Sequence, residues 1–159
     1  MSWLKSIAAA VGWIAAAALA GTSGLAVAAT CTATSPAHTV ALLELYTSEG
    51  CSSCPPADEW VRKLPDAGFG ADRVVPLALH VDYWDYIGWQ DRFASPRHTE
   101  RQKSYSAIGK SRFIYTPQVV LDGRDFRGWG NSRTFEQTVQ AANARPARAT
   151  ITVSLDEQE

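Results

Sequence analysis

The chain has 159 residues, 46% of them hydrophobic and 19% charged, which gives one domain a real core and excludes a disordered chain. Fifteen basic residues stand against sixteen acidic ones with no basic stripe to neutralise phosphates, so nucleic acid is excluded as an expected partner. Six Trp and five Tyr are many for this length and point to some aromatic surface used in contact.

Residues 1–29 read as a signal peptide. Lys5 supplies a positive start, Ile7 to Ala20 is an apolar run broken only by Gly12, and Ala26-Val27-Ala28 forms an A-x-A cleavage site. A transmembrane anchor needs about 20 apolar residues, and Gly21, Thr22, Ser23 and Gly24 end this run early. The expectation is a bacterial protein exported to the periplasm or secreted, with no membrane span left after cleavage. Removing residues 1–29 removes one base and no acid, which leaves fourteen basic against sixteen acidic residues.

Residues 30–38 are polar and turn-rich and read as a leader. Val40 to Tyr46 is an apolar run whose length and borders suit a buried strand. Thr47 to Cys54 is loop material. Ala57 to Leu64 has helical spacing, with Trp60, Val61 and Leu64 on one side, and Pro65 ends it. Val74 to Val81 predicts a second buried strand. Residues 82–110 read as a loop followed by a helix near Pro96–Ile108, closed by Gly109. Gln118 to Leu121 is a third strand, and Asp122-Gly123 is a turn signal into a fourth, Asp125 to Trp129. Ser132 or Thr134 caps a last helix through Ala144, stopped by Pro146. This order predicts an α/β fold, a mixed sheet flanked by helices, over residues 38–146. Ala149 to Leu155 alternates like one more strand with no obvious partner. Residues 147–159 therefore read as the start of a β-rich C-terminal portion of a longer protein.

The strongest chemical signal is Thr47-Ser48-Glu49-Gly50-Cys51-Ser52-Ser53-Cys54-Pro55-Pro56-Ala57-Asp58. A C-x-x-C follows a buried strand and precedes a helix. The thiolate is the species that attacks a disulfide, and a helix start favours that negative charge. Two residues of spacing let the second thiol reach the first. By position Cys51 is the exposed nucleophile and Cys54 the more buried resolving thiol. A ring this small staples a fold weakly, which favours reactivity over structure as its purpose. The second signal is Ile114-Tyr115-Thr116-Pro117-Gln118-Val119-Val120, a Thr-Pro at the head of an apolar strand.

Together these two signals resemble the thioredoxin superfamily. The resemblance implies that Pro117 is cis and faces the cysteine pair, and that Thr116 offers backbone groups to an extended substrate strand. It also matches Asp122-Gly123 and the strand after it to a closing hairpin. Three blocks carry a closer resemblance: Glu44 to Asp58, then His80-Val81-Asp82-Tyr83-Trp84-Asp85-Tyr86-Ile87-Gly88-Trp89, then Tyr115-Thr116-Pro117-Gln118. Over roughly residues 38–155 they are similar to the bacterial domain-of-unknown-function family 1223. That resemblance implies an exported, thioredoxin-like protein with a further β-rich portion, and no particular activity.

Departures from ordinary thioredoxins carry expectations of their own. Cys54 and Pro117 are 63 residues apart, so residues 82–110 look like an insertion near the site. Each proline of Pro55-Pro56 disfavours α conformation in the residue before it, which biases Cys54 and Pro55 to extended backbone and makes Pro56 the first helical residue. Asp58 and Glu59 then occupy the first turn. On that basis Cys51 sits away from the helix end, its thiolate is less stabilised, and the pair is more reducing than in strongly oxidising relatives.

Other roles stay open. Cys51 and Cys54 fit a redox-active disulfide, an inert local bridge, or a soft-metal relay, since thiolates suit Cu(I). Zinc is poorly served, because no second C-x-x-C or H-x₃-H accompanies the pair, and His38, His80, His98 and Cys31 are the His and Cys that remain. Cys31 reads as a free or intermolecularly paired thiol. His80 and Asp82 aid proton transfer to Cys54 or are structural. Glu44 is a buried proton acceptor beneath the cysteines or faces a solvated edge. Tyr83, Trp84, Tyr86 and Trp89 are packing residues or a substrate groove. The reading is a thiol–disulfide oxidoreductase acting on exported proteins or small thiols, with no metal and no cofactor beyond its own cysteines. Its alternatives are a thiol-based binding module and an inert domain. Oligomeric state is not readable.

Overall fold

Residues 31–155 are described by a computed structural model; the expected signal peptide and the last four residues lie outside this range. The elements in chain order are β1 (Cys31–Thr34), β2 (Ala41–Thr47), α1 (Pro55–Arg62), β3 (Val74–His80), a 3₁₀ turn (Asp85–Ile87), α2 (Pro96–Ile108), β4 (Gln118–Leu121), β5 (Arg124–Asp125), α3 (Ser132–Asn143) and β6 (Thr152–Leu155).

The apolar run of β2 is the centre of a mixed four-stranded sheet of order β3-β2-β4-β5. β3 lies parallel to β2 with Thr47 opposite His80, and β4 lies antiparallel with Tyr46 opposite Gln118. Side chains alternate across a strand, so β2 serves two layers. Ala41, Leu43 and Leu45 face a large core with Ala57 and Leu64 after the cysteine loop, and with Phe135, Val139 and Ala142 of α3. Trp60, Phe69 and Phe126 pack edge-on or tilted around Phe135 at 5.0, 4.9 and 6.1 Å. Tyr46 and Val120 face the opposite way, into a smaller cluster with Val81, Tyr83, Trp84 and Tyr105. α2 covers that second face. The result is a mixed sheet with helices on both faces, an arrangement consistent with the thioredoxin-like one.

α2 docks through polar chemistry. Its buried residues are Thr99, Gln102 and Ser106, one stripe at i, i+3 and i+7. Gln102 is fully buried and satisfied: its amide donates to the Tyr115 carbonyl and to Gln118 Oε1, both at 2.8 Å, and its oxygen accepts from Tyr83 OH. This stripe ties the helix of the inserted segment to the strand that follows Pro117. Ser95 caps α2 by accepting from the Arg97 amide, and Pro96 stands at the first helical position.

Several expectations are corrected. The leader is not merely a turn: Cys31–Thr34 forms β1 and pairs antiparallel with β6, Cys31 opposite Leu155. The strand thought to lack a partner therefore has one. It went unseen because β1 is a polar segment more than a hundred residues upstream. The fourth strand is only Arg124–Asp125, because Phe126 and Trp129 turn away to pack on the α1/α3 core. Its turn is as expected, with Asp122 and Gly123 both at positive φ (48° and 79°), the backbone of a type I′ turn. Asp122 tolerates this because its carboxylate accepts from the Leu42 amide and pairs with Arg145. The cap of α3 is Asn131 rather than Ser132 or Thr134.

Candidate functional site

At the end of β2 the chain tightens into a turn. Ser48 accepts from the Gly50 amide through Oγ and from the Cys51 amide through its carbonyl, and Cys51 O accepts from the Cys54 amide. Cys51 and Cys54 form a disulfide with Cα atoms 5.4 Å apart. Gly50 permits a close approach: a Cβ there would meet Ile87 Cδ1 at 3.2 Å and Trp84 Cβ at 3.3 Å. The insertion thus presses directly on the cysteine loop.

The helix start differs from the sequence expectation. Cys54 is in right-handed helical conformation (φ −78°, ψ −35°), not extended, and Pro55, not Pro56, is the first helical residue. Its carbonyl already accepts from the Ala57 and Asp58 amides, a gain in hydrogen bonding that overrides the local bias of residues before proline. α1 therefore begins directly at the cysteine pair. Glu59 is paired with Arg62 and Lys63, whose hydrogen bonds hold its carboxyl down at about 2. Of the two premises for a poorly stabilised Cys51 thiolate, the displaced helix start is removed, whereas Asp58 does stand in the first turn as expected. Cys51 is not the exposed thiol expected either: it is 3% exposed against 0% for Cys54, since the turn and the insertion cover both.

The remote Thr-Pro does reach the cysteines. The Thr116–Pro117 peptide is cis, and Thr116 Oγ1 donates to Cys51 Sγ at 3.4 Å, across 65 residues of sequence. Trp84 Nε1 donates in turn to Thr116 Oγ1 at 2.7 Å. Ser53 Oγ lies 3.6 Å from the same sulfur.

The insertion divides into an inner and an outer part. Tyr83 and Trp84 pack on Tyr46, Val81 and Val120. Tyr86 and Trp89 are 80% and 61% exposed. Tyr86 lies nearly parallel to Trp84 with centroids 6.4 Å apart, and Trp89 donates its indole N–H to Glu49 Oε2. Phe113, Tyr115, Arg127 and Trp129 line a hollow of about 280 Å³. Burial, then the Asp125 carboxylate, pushes the Tyr115 hydroxyl up to about 12, so it stays a neutral donor.

Glu44 is fully buried, but not beneath the cysteines and not at a solvated edge. It points to the α2 side of the sheet, opposite the Leu43 and Leu45 face on which α1 packs, and pairs with Arg101. Asp82 accepts from Thr99 Oγ1 at 2.5 Å. His80 is engaged through Nδ1 with Asp91 Oδ2 at 2.6 Å. Among the described residues neither His80 nor Asp82 hydrogen-bonds a cysteine sulfur. Cys31 is free and exposed on β1. Among the described residues no group of three or more His, Cys, Asp and Glu is placed to hold a metal ion, and no helix is long and apolar enough to cross a membrane.

Sequence reading missed Asp91. Its buried carboxylate accepts from His80, from the Glu49 amide at 2.8 Å and from the Phe93 amide at 2.9 Å. It therefore locks the loop before Cys51 to the end of β3. Apart from Phe93 two residues on, its partners lie 11 and 42 residues away, so no local pattern marks the junction it makes. Burial raises this carboxyl, but the Glu49 amide, the His80 ring and the Phe93 amide outweigh burial and hold it below the usual carboxylate range. A depressed folded pKa gives stability that is present above the unfolded value and lost as pH falls through the folded one. Thermal unfolding followed from pH 7 to well below pH 4, about the unfolded carboxyl value, is expected to show a steeper acid loss in the wild type than in Asp91→Asn, which is already destabilised at pH 7. Equal acid slopes in the two proteins would contradict this anchoring.

The chain matches the profile of a protein family of unknown function, DUF1223, over residues 42–159. No curated protein matches it. A crystal structure of an Agrobacterium tumefaciens protein is 43% identical, covers 67% of this chain and has a TM-score of 0.57. The match takes in 46% of that protein, so this chain spans less than half of its length. With a family profile matched along most of its length, the chain belongs to the DUF1223 family.

Proposed function

We propose that this protein is an exported thiol–disulfide oxidoreductase of the thioredoxin-like kind, working through Cys51 and Cys54. The observation that carries the reading is the contact of Thr116 Oγ1 with Cys51 Sγ beside the cis Pro117. It gives one sulfur of the pair a hydrogen-bond donor, and it leaves the other as the fully buried partner at the start of α1. An inert bridge has no need of such a donor.

The chemistry is a two-step exchange. The Cys51 thiolate attacks one sulfur of a substrate disulfide and forms a mixed disulfide as the other substrate sulfur leaves as a thiolate. The Cys54 thiolate then attacks Cys51 Sγ, the Cys51–Cys54 disulfide forms, and the second substrate sulfur leaves. Two electrons pass from the pair to the substrate, and the reverse order oxidises a substrate dithiol. Thr116 holds the anion at Cys51. Tyr86 and Trp89 supply exposed aromatic surface for an exported polypeptide or small thiol in the periplasm. His80 and Asp82 act through the loop and the insertion rather than on a sulfur. No cofactor other than the redox pair enters the scheme.

Equilibration with glutathione buffers tests this reading. The pair is expected to titrate as one two-electron couple between about −270 and −120 mV, the span of thioredoxin-type catalysts. A potential below about −300 mV, typical of structural disulfides, would assign the bridge to the fold instead.

A further inference from the structure

We infer that Trp84 is a positioning residue for the redox pair: its indole N–H occupies a lone pair of Thr116 Oγ1 and so turns the Thr116 proton onto Cys51 Sγ. The inference rests on the thiol–disulfide reading and deepens it. An indole N–H can only donate, whereas a threonine hydroxyl donates once and accepts through two lone pairs. With Trp84 Nε1 at 2.7 Å from Thr116 Oγ1, the one hydroxyl proton must point elsewhere, and Cys51 Sγ stands at 3.4 Å. The Tyr83 oxygen is the competing acceptor, since its own proton goes to Gln102 Oε1. It is neutral, so once the disulfide is reduced a thiolate at Cys51 outcompetes it as a charge-assisted acceptor.

The indole is not free to swing away. It packs on the Tyr46, Val81 and Val120 cluster, lies nearly parallel to Tyr86, and its Cβ abuts Gly50. The insertion thus supplies the hydrogen bond that fixes the hydroxyl, 32 residues before Thr116 and 33 after Cys51. The charged groups on neighbouring elements are Glu49 in the preceding loop, Asp58 in α1, and Asp82, Asp85 and the Asp91–His80 pair around the insertion. None is altered by changing Trp84 or Thr116.

The test compares Trp84→Phe, Thr116→Val, Thr116→Ser and the double variant Trp84→Phe/Thr116→Val, with the Cys51 thiol pKa read from the pH profile of iodoacetamide alkylation. Trp84→Phe and Thr116→Val are each expected to cut the Cys51 thiolate fraction below its pKa by about tenfold, one pH unit. The double variant should do no worse than either, because both remove one shared device. Thr116→Ser should retain the wild-type profile. Replacing Trp84 by benzothienylalanine, which keeps the ring shape without the N–H, gives the same readout should Trp84→Phe unfold the protein. An unchanged profile in the Trp84 variants, or additive effects in the double variant, would overturn the inference. A wild-type pair that exchanges with no disulfide at all would defeat the oxidoreductase reading itself, a separate outcome.

Discussion

Cys51→Ser is expected to abolish thiol–disulfide exchange while leaving the fold in place. The bridge closes a ring of only four residues, so its loss costs at most about 2 kcal/mol by chain entropy. The packing around Phe135 and the hydrogen bonds of Gln102 do not depend on it. The first step of exchange requires a thiolate at position 51, and a serine hydroxyl cannot substitute for it. Turnover of a small disulfide by the reduced protein should fall by about two orders of magnitude or more, with far-UV and near-UV dichroism retained. Residual turnover near the wild-type rate would move the nucleophile to another sulfur.

The largest effect on stability is expected at Arg101. Glu44 is fully buried, its Oε2 has no hydrogen-bond partner among the described residues, and its charge is answered by the Arg101 guanidinium. Removing one member of a buried pair strands the other, at a cost of about 3–5 kcal/mol when both are buried. Arg101 is half exposed, so solvent screens the pair and about 2–3 kcal/mol is the better figure for Arg101→Ala. Glu44→Leu should cost less, since Arg101 can then turn to water, and the double variant should recover much of the loss. Urea unfolding of the three variants measures this order. Arg101→Ala no worse than Glu44→Leu would mean that the pair does not hold the sheet to α2.

Where local chemistry decides the backbone, the sequence was easily read. β4 follows from four apolar or amide residues after Pro117, α2 from Pro96 at one end and Gly109 at the other, and the hairpin from Asp122-Gly123. The meeting of Cys51 with Thr116 was legible only through resemblance, since 65 residues separate them. What stayed hidden depends on which face of the sheet each helix takes. β2 is apolar on both faces, so alternation placed Glu44 away from Leu43 and Leu45 without saying that α2 and Arg101 lie on that side. The conformation of Cys54 was misjudged because a pairwise bias against helix before proline was weighed without the amides of Ala57 and Asp58 that need its carbonyl. β1 escaped notice because its strand partner among the described residues is β6, at the far end of the described chain.

Cys31 provides an internal reference for the central claim, being a free and exposed thiol on the same chain. In Cys54→Ser protein treated with oxidised glutathione, peptide mapping by mass spectrometry follows mixed-disulfide formation at both remaining thiols. The account predicts that Cys51 is modified well ahead of Cys31 despite its burial, because Thr116 and the start of α1 favour its thiolate. Modification of Cys51 at the rate of Cys31 or slower would contradict it.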